Sequence, residues 1–258
     1  MPGIENEVIK YVFSNKKKIK FNHLKNIISI KIPKKKKLIK ISNLDDIEEN
    51  SSSDSSKKAD VFFNDIGISI KAKNGNPYNK LYRKDFSFMK KFIKNDDKYK
   101  QVVKNLEEKL KKIHSKDLKR DVFWKDIIEE KYFKPVLKYL MMDGKPSKKN
   151  NFPAKFLLIH DDSIKSNENL ALLSFDEYFE NYKDKIYFAF RRVWFGATSS
   201  EHERAKNICY QHLESEGWCF KTITGKPAKR KDGKSIWRSD IMTSDRRTAY
   251  YLNIACKK

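Results

Sequence analysis

The chain contains two kinds of hydrophobic pattern, one with the spacing of a helix and one with the alternation of a strand. Apolar residues recur at helical spacing in residues 4–13, whereas they alternate with polar residues in 28–32. Such patterns predict helices over 4–13, 86–114, 121–141, 174–182 and 199–216, and strands over 28–32, 38–41, 155–160, 169–173, 186–195, 218–223 and 248–254. Between them, residues 43–58 form a predicted polar loop. The mixture indicates an α/β protein with a central mixed β-sheet flanked by helices and a strand-containing basic C-terminal region.

The segment from Lys57 to Lys73 has the pattern of one short strand, a tight turn and a second strand. The period of two places the isoleucines of the second strand on one face, and Ser69, Lys71 and Lys73 on the other. Asp60 opens the first strand, so its carboxylate and a lysine of the next strand can converge on one point. That arrangement suits a divalent metal beside a lysine that polarises a phosphate. The alternative is an ordinary hairpin whose lysines keep a sheet edge soluble.

The charge of the chain favours a polyanionic partner. The 258 residues include 57 Lys plus Arg against 34 Asp plus Glu, which gives a formal net charge of +23. A content of 39% hydrophobic and 13% aromatic residues indicates a folded protein rather than a basic tail. A polyanion would relieve the self-repulsion of this charge, and nucleic acid gains further from the release of counterions. No segment approaches the ~20 apolar residues of a membrane span, so a membrane is not expected as the partner.

The cysteines predict a reducing compartment. Cys209, Cys219 and Cys256 are odd in number, and no signal peptide stands at the start of the sequence, so we expect an intracellular protein with reduced thiols. Cys209 and Cys219, together with His202 and His212, are of the right types for zinc. Three of these four residues fall on one predicted helix, however, which disfavours a closed tetrahedral site.

The first predicted helix carries two acidic residues, Glu5 and Glu7. Glu5 lies on the apolar stripe, because it precedes Val8, Ile9 and Val12 by three, four and seven residues. A carboxylate on a buried face is costly unless a cation meets it there. The alternative is that acids in a first turn simply complement the helix dipole.

Two short motifs of the hairpin resemble the PD-(D/E)xK nuclease superfamily, in particular type II restriction endonucleases. They are Lys58-Ala59-Asp60-Val61 and Gly67-Ile68-Ser69-Ile70-Lys71. Asp60 matches the first metal-ligating carboxylate of that family, and Lys71 matches its catalytic lysine. Ser69 departs from the pattern, because it occupies the place of the second Asp or Glu. The resemblance covers the first 75 residues at most.

The resemblance implies Mg²⁺-dependent hydrolysis of phosphodiester bonds. The metal ligands that it implies are Asp60, the backbone carbonyl of Ile70 and an acid from the N-terminal helix, for which Glu5 is the first choice and Glu7 the reserve. Lys71 would orient or deprotonate the attacking water and offset charge on the phosphoryl oxygens. An alternative register makes Lys73 the catalytic lysine.

The resulting hypothesis is a Mg²⁺-dependent, sequence-specific double-stranded DNA endonuclease, a type II restriction enzyme. The resemblance implies a bacterial cytoplasmic protein that pairs functionally with a DNA methyltransferase, and a homodimer is plausible since both strands are cut. Residues 1–145 would form the catalytic core, and 146–258 the rest of the sheet with the DNA-recognition region, unless the whole chain is one domain. The alternatives are a structure-selective nuclease of the same fold, such as a junction resolvase or repair enzyme, and a nucleic-acid-binding protein without catalysis, in which Ser69 marks a dead site.

Candidate DNA contacts cluster in a basic loop near the C-terminus. Basic side chains there can position phosphates, and an arginine can bind guanine edges. The alternative is a solvated loop. Together with Lys73, the predicted contacts are Lys226, Lys229, Arg230, Lys231, Lys234 and Arg238.

Overall fold

The computed structural model describes residues 3–51, 57–146, 152–161, 164, 166–211, 218–222 and 232–257. Its α-helices are α1 (Gly3–Asn15), α2 (Asp45–Asn50), α3 (Asp96–His114), α4 (Glu130–Lys138), α5 (Phe175–Tyr182) and α6 (Glu201–Gln211). Its strands are β1 (Ile30–Lys34), β2 (Lys37–Lys40), β3 (Val61–Phe63), β4 (Ile66–Ala72), β5 (Tyr78–Leu81), β6 (Asp121–Phe123), β7 (Phe156–His160), β8 (Leu170–Leu173), β9 (Ile186–Phe195), β10 (Cys219–Lys221) and β11 (Arg247–Cys256). Within these residues, no helix is both long enough and apolar enough to cross a bilayer.

The strands form two sheets, so the predicted α/β class and mixed sheet are confirmed. The first sheet has six strands in the order β2-β1-β3-β4-β7-β8, and only its β4–β7 pair is parallel. A parallel pair needs a long crossover connection, which here runs from residue 73 to 155. The second sheet is antiparallel, with the order β10-β11-β9-β6 and with β5 paired to β11.

The chain divides into two compact units that alternate along the sequence. The first unit comprises residues 1–77, 133–186 and 256–258, and the second comprises 78–132 and 187–255. This division differs from the predicted boundary after residue 145. The physical reason is strand pairing, because β4 bonds to β7 across more than eighty residues of sequence and β6 bonds to β9.

The first unit has its core between α1 and one face of the six-stranded sheet. Val8, Ile9 and Val12 of α1 are buried as the helical spacing predicts, and they belong to one cluster with Ile68 and Ile70 of β4. Burying an aliphatic side chain of this size contributes roughly 1.5–3 kcal/mol, so this contact fixes α1 on the sheet. Its N-terminal turn, which carries Glu5, is thereby fixed as well.

Some predicted boundaries were wrong for local reasons. Residues 43–58 were predicted to be a loop, but α2 forms there because Ile47 is fully buried and Asp46 binds the backbone N–H groups of Ser42 and Asn43. The predicted helix over 86–114 is a 3₁₀ segment followed by α3. That break occurs because the Asn95 side chain caps the N–H of Lys98. The predicted helix over 121–141 begins as β6 instead.

Gly67 of β4 is required by a close approach of the chain. A Cβ atom at this position would overlap the carbonyl oxygen of Pro153 and lie 3.1 Å from the Cβ of Ala59. Gly67→Ala is therefore expected to destabilise the fold by about 1–3 kcal/mol, since the backbone must move. Gly3→Ala is the control, because nothing lies within 4 Å of the added atom. Urea unfolding of both variants checks this, and equal midpoints would contradict the close approach.

Two of the three cysteines form a disulfide, so the prediction of reduced thiols was wrong for Cys209 and Cys219. Their sulfurs are thereby removed from any zinc site, and His212 lies outside the described residues. Cys256 is a buried free cysteine. The bond weighs against the predicted reducing compartment, since disulfides are rare in the cytosol.

The disulfide is expected to stabilise the second unit. It joins residues ten apart and so restricts the unfolded chain, which typically contributes about 2–4 kcal/mol. Cys209→Ser should therefore lower the thermal unfolding midpoint, and dithiothreitol should lower the midpoint of the wild-type protein in the same direction. The variant itself should not respond to dithiothreitol, and a response of equal size in both proteins would contradict the assignment.

Candidate active site

The β3–β4 hairpin holds the carboxylate of Asp60 against the neighbouring strand. Its turn contains Asn64 and Asp65, which both have positive φ values, 49° and 67°, as tight hairpin turns require. The backbone N–H of Asp60 donates to the carbonyl oxygen of Ile68 at 2.8 Å, and its Oδ2 accepts from the N–H of Ile70 at 2.7 Å. Among the described residues, all side-chain hydrogen bonds of Asp60 end on Oδ2, so Oδ1 faces no competing donor.

Ser69 is fully buried and forms a hydrogen bond with the same carboxylate. Its hydroxyl donates to Oδ2 of Asp60 at 3.3 Å, and the side chain is only 1% exposed. At the position where the resemblance expects a second acid, the chain therefore has a hydroxyl that holds the first acid in place.

Lys71 lies on β4, the strand whose backbone binds the Asp60 carboxylate, and it is on the same face of that strand as Ser69. β4 is bonded to β3 on one edge and to β7 on the other, so its backbone is fixed from both sides. Lys71 pairs in register with Ile159 of β7 and is half-buried. The strand therefore limits the positions that the Lys71 side chain can reach beside Asp60.

Lys73 has a different environment, which favours Lys71 as the lysine of the site. It follows the end of β4, its side chain is 57% exposed, and its Nζ lies 3.2 Å from Oδ1 of Asp161. This ion pair lowers the pKa of the Asp161 carboxyl. The charge of Lys73 is therefore already matched by a carboxylate at the end of β7.

Glu5 joins the site electrostatically from the first turn of α1. Desolvation raises the pKa of its carboxyl, and the negative charge of Asp60 raises it further, whereas Lys71, Lys57 and His160 lower it. Glu5 is itself an exposed residue, so the burial that the apolar stripe predicts for it is not found, although protein lies close enough to the carboxyl for desolvation to dominate its pKa. The structure thus brings the predicted Glu5 within electrostatic range of both hairpin residues. The reserve choice, Glu7, is an exposed residue of the same helix.

Two further residues, Lys58 and His160, belong to this neighbourhood, and neither is among the predicted site residues. Burial lowers the pKa of Lys58 to about 7, and the positive charges of Lys71 and Lys145 lower it as well. Its Nζ donates to the carbonyl oxygen of Leu140. His160, at the end of β7, is 3% exposed, and its Nδ1 lies 2.7 Å from the carbonyl oxygen of Asp161. Lys58 stands two residues before Asp60, the spacing of one strand face, which is the signal that could have identified it.

The residues of the site fit Mg²⁺, but they offer it few ligands. No group of three or more His, Cys, Asp and Glu side chains gathers to hold a metal ion within the part of the chain that is described. Mg²⁺ keeps several waters and is commonly bound through one or two carboxylates, a number that Asp60 and Glu5 supply. The negative charge of Asp60 contributes to the raised pKa of Glu5, and a cation beside both carboxylates would favour their charged forms. A contribution from the Ile70 carbonyl stays a prediction.

Most of the predicted DNA contacts near the C-terminus cannot be placed. Lys226, Lys229, Arg230 and Lys231 lie outside the described residues. Arg238 binds Asp240 through two contacts, Nε to Oδ1 at 2.9 Å and Nη2 to Oδ2 at 2.6 Å. The backbone N–H of Lys234 donates to Oδ1 of Asp232 at 3.1 Å. A phosphate or a guanine at Arg238 would therefore compete with an internal carboxylate.

Comparison with known proteins adds no relative to this description. No family model, no curated protein and no solved structure matches the chain.

Proposed function

We propose that this chain is a Mg²⁺-dependent endonuclease that hydrolyses phosphodiester bonds of DNA. The observation that carries the proposal is the position of Asp60. Its carboxylate is held 2.7 Å from the N–H of Ile70, on the strand that also carries Lys71. Glu5 approaches the same carboxylate closely enough for the two charges to interact. The formal charge of +23 supports a polyanionic substrate.

Each residue of the site has a definite task in this proposal. Asp60 and Glu5 would hold the metal, and the hydrogen bonds from Ile70 and Ser69 keep the Asp60 carboxylate oriented for it. When bound, Mg²⁺ would supply Lewis-acid polarisation of the phosphoryl oxygen and a more acidic water. The ammonium of Lys71 would stabilise the negative charge that grows on the phosphoryl oxygens.

The finer form of the proposal is a type II restriction enzyme that cuts double-stranded DNA at a specific sequence. It depends on the likeness of the two hairpin motifs to that group of PD-(D/E)xK nucleases. A homodimer, a partner methyltransferase and a bacterial cytoplasmic location belong to this finer form, and the Cys209–Cys219 disulfide weighs against the last of these.

A second candidate is a DNA-binding protein without catalysis. The observation that favours it is the buried Ser69, whose hydroxyl occupies the place where a second carboxylate would bind metal. In such a protein Asp60 would stabilise the hairpin only.

Digestion of DNA separates these functions. The purified full-length protein is incubated with supercoiled plasmid and with phage DNA that lacks methylation, in Mg²⁺ and in EDTA. The proposal expects discrete fragments in Mg²⁺ and none in EDTA. Preferential cutting of a four-way junction would instead indicate a structure-selective nuclease, and a gel shift without any cleavage would indicate the non-catalytic binder.

A further inference from the structure

The second unit contains a basic pocket whose lining includes none of the predicted DNA contacts. Its volume is about 550 Å³. It opens beside the end of α3, next to the paired strands β6 and β9. Five cationic side chains and a single carboxylate line it. They are Lys116, Lys119, Arg120, Arg191, Arg192 and Asp121.

Most of the positive charge in this basic pocket has no internal carboxylate partner. Asp121 forms an ion pair with Arg191, in which Nη1 of Arg191 lies 2.9 Å from Oδ1 of Asp121. Across the described residues, no ion pair engages Lys116, Lys119, Arg120 or Arg192. The cavity therefore concentrates cations that nothing in this part of the chain neutralises, and it favours an anionic ligand.

The fold fixes the backbone that carries these cations. The chain reverses after α3 at Lys116, whose φ is +68°. It then enters β6, where Asp121 pairs with Ala189, and the N–H of Phe190 donates to the carbonyl oxygen of Arg120 at 2.9 Å. The loop is thereby tied at its end to β9, the strand that carries both lining arginines, Arg191 and Arg192.

Arg192 has uncharged aromatic neighbours. Its guanidinium lies over the ring of Trp194, 5.3 Å from the centroid, and its charge partly offsets the raised pKa of Tyr250, whose hydroxyl lies 3.1 Å from Nδ1 of His114. Burial raises the pKa of Tyr250 to about 12, so the phenol stays neutral. Burial lowers the pKa of His114, and the charge of Arg192 lowers it further, against a hydrogen bond with the backbone of Lys221. These neighbours of Arg192 therefore carry no negative charge that would compete with a ligand.

We propose that the basic pocket is a phosphate-binding site that holds the DNA backbone. Guanidinium groups bind phosphate oxygens through paired hydrogen bonds, and lysines add point charge without geometric demands, so the pocket has both elements of a backbone contact. The choice of DNA as the source of the phosphate rests on the proposed function. A free nucleotide has the same chemistry and is the alternative that the experiment must separate.

The test measures the affinity of the full-length protein for a 30-base-pair duplex by fluorescence anisotropy in EDTA, over a range of salt concentrations. The variant Arg120→Gln/Arg192→Gln is expected to bind roughly tenfold more weakly at 0.1 M salt. The slope of log K against log salt should become shallower by about 1 for each phosphate that the variant no longer binds. Lys119→Gln is a second variant that changes a single exposed side chain, and it should reduce the slope by about 1.

Lys104→Gln is the matched control. It also removes one positive charge from the second unit, but it lies ten residues before the end of α3, about 15 Å along the helix axis. Slopes for the pocket variants equal to that of the control would overturn the proposal. Titration with a nucleoside monophosphate is the second arm: binding that disappears in the pocket variants while their duplex affinity is unchanged would also overturn it.

The two proposals fail in different ways. Because binding is measured without Mg²⁺, weaker binding by the pocket variants supports the pocket even if the wild-type protein never cuts DNA. Cleavage by the wild-type protein together with unchanged binding by the pocket variants removes the pocket and leaves the nuclease.

Discussion

Replacing Asp60 with asparagine is expected to abolish Mg²⁺-dependent cleavage while DNA affinity changes by less than a few-fold. The amide oxygen can still accept the N–H of Ile70, so the hairpin should keep its shape. What the variant loses is the negative charge needed to hold the metal, and removal of one such electrostatic element costs roughly 10²–10³-fold in rate. The measurement is the single-turnover rate of plasmid linearisation, with duplex binding in EDTA measured in parallel.

Asp65→Asn is the control for this prediction. Asp65 lies in the turn of the same hairpin, where asparagine tolerates the positive φ, and its carboxylate pairs with Lys31 at 2.6 Å. The Asp65→Asn variant therefore removes one negative charge from the same hairpin and leaves the residues of the candidate site unchanged. Equal cleavage rates for the two variants would remove Asp60 from the catalytic machinery and with it the main support for the nuclease.

The parts of the fold that could be predicted from sequence are those that a local pattern determines. The predicted strand over 186–195 coincides with β9. The predicted helix over 174–182 is α5, which begins one residue later because Ser174 caps it and forms a capping box with Glu177. β5 was not predicted, because its four residues have no alternation and it is held by pairing with β11, more than 170 residues later. The second sheet as a whole depends on such distant pairings.

The same distinction applies to the candidate sites. The contact of the Asp60 carboxylate with the strand that carries Lys71 could be predicted, because both residues lie within one hairpin. The lowered pKa of Lys58 could not, since it depends on burial and on Lys145, far away in sequence. The basic pocket was also missed, because about seventy residues separate Arg120 from Arg192 in sequence and only the β6–β9 pair brings their segments together.

Lys71→Gln is expected to reduce the cleavage rate by roughly 10²–10³-fold, with duplex affinity changed by only a few-fold. The reason is the position of Lys71. It lies within β4, next to Ile70, whose backbone binds Asp60, and it is half-buried. Its positive charge affects the pKa of both Glu5 and Lys58. A neutral side chain there would remove the positive charge that the proposal assigns to stabilising the phosphoryl oxygens.

Lys73→Gln decides between the two registers of the motif. Lys73 lies two residues after Lys71, and its substitution removes the same charge. Its side chain is largely exposed and paired with Asp161, so the substitution should change the cleavage rate by less than a few-fold. A slow Lys73 variant beside a fast Lys71 variant would show that the second register is the correct one. Normal rates in both would mean that neither lysine takes part, and the hairpin would then be structural. Because both substitutions remove one positive charge close to the same strand end, a difference between them cannot arise from a general weakening of DNA attraction.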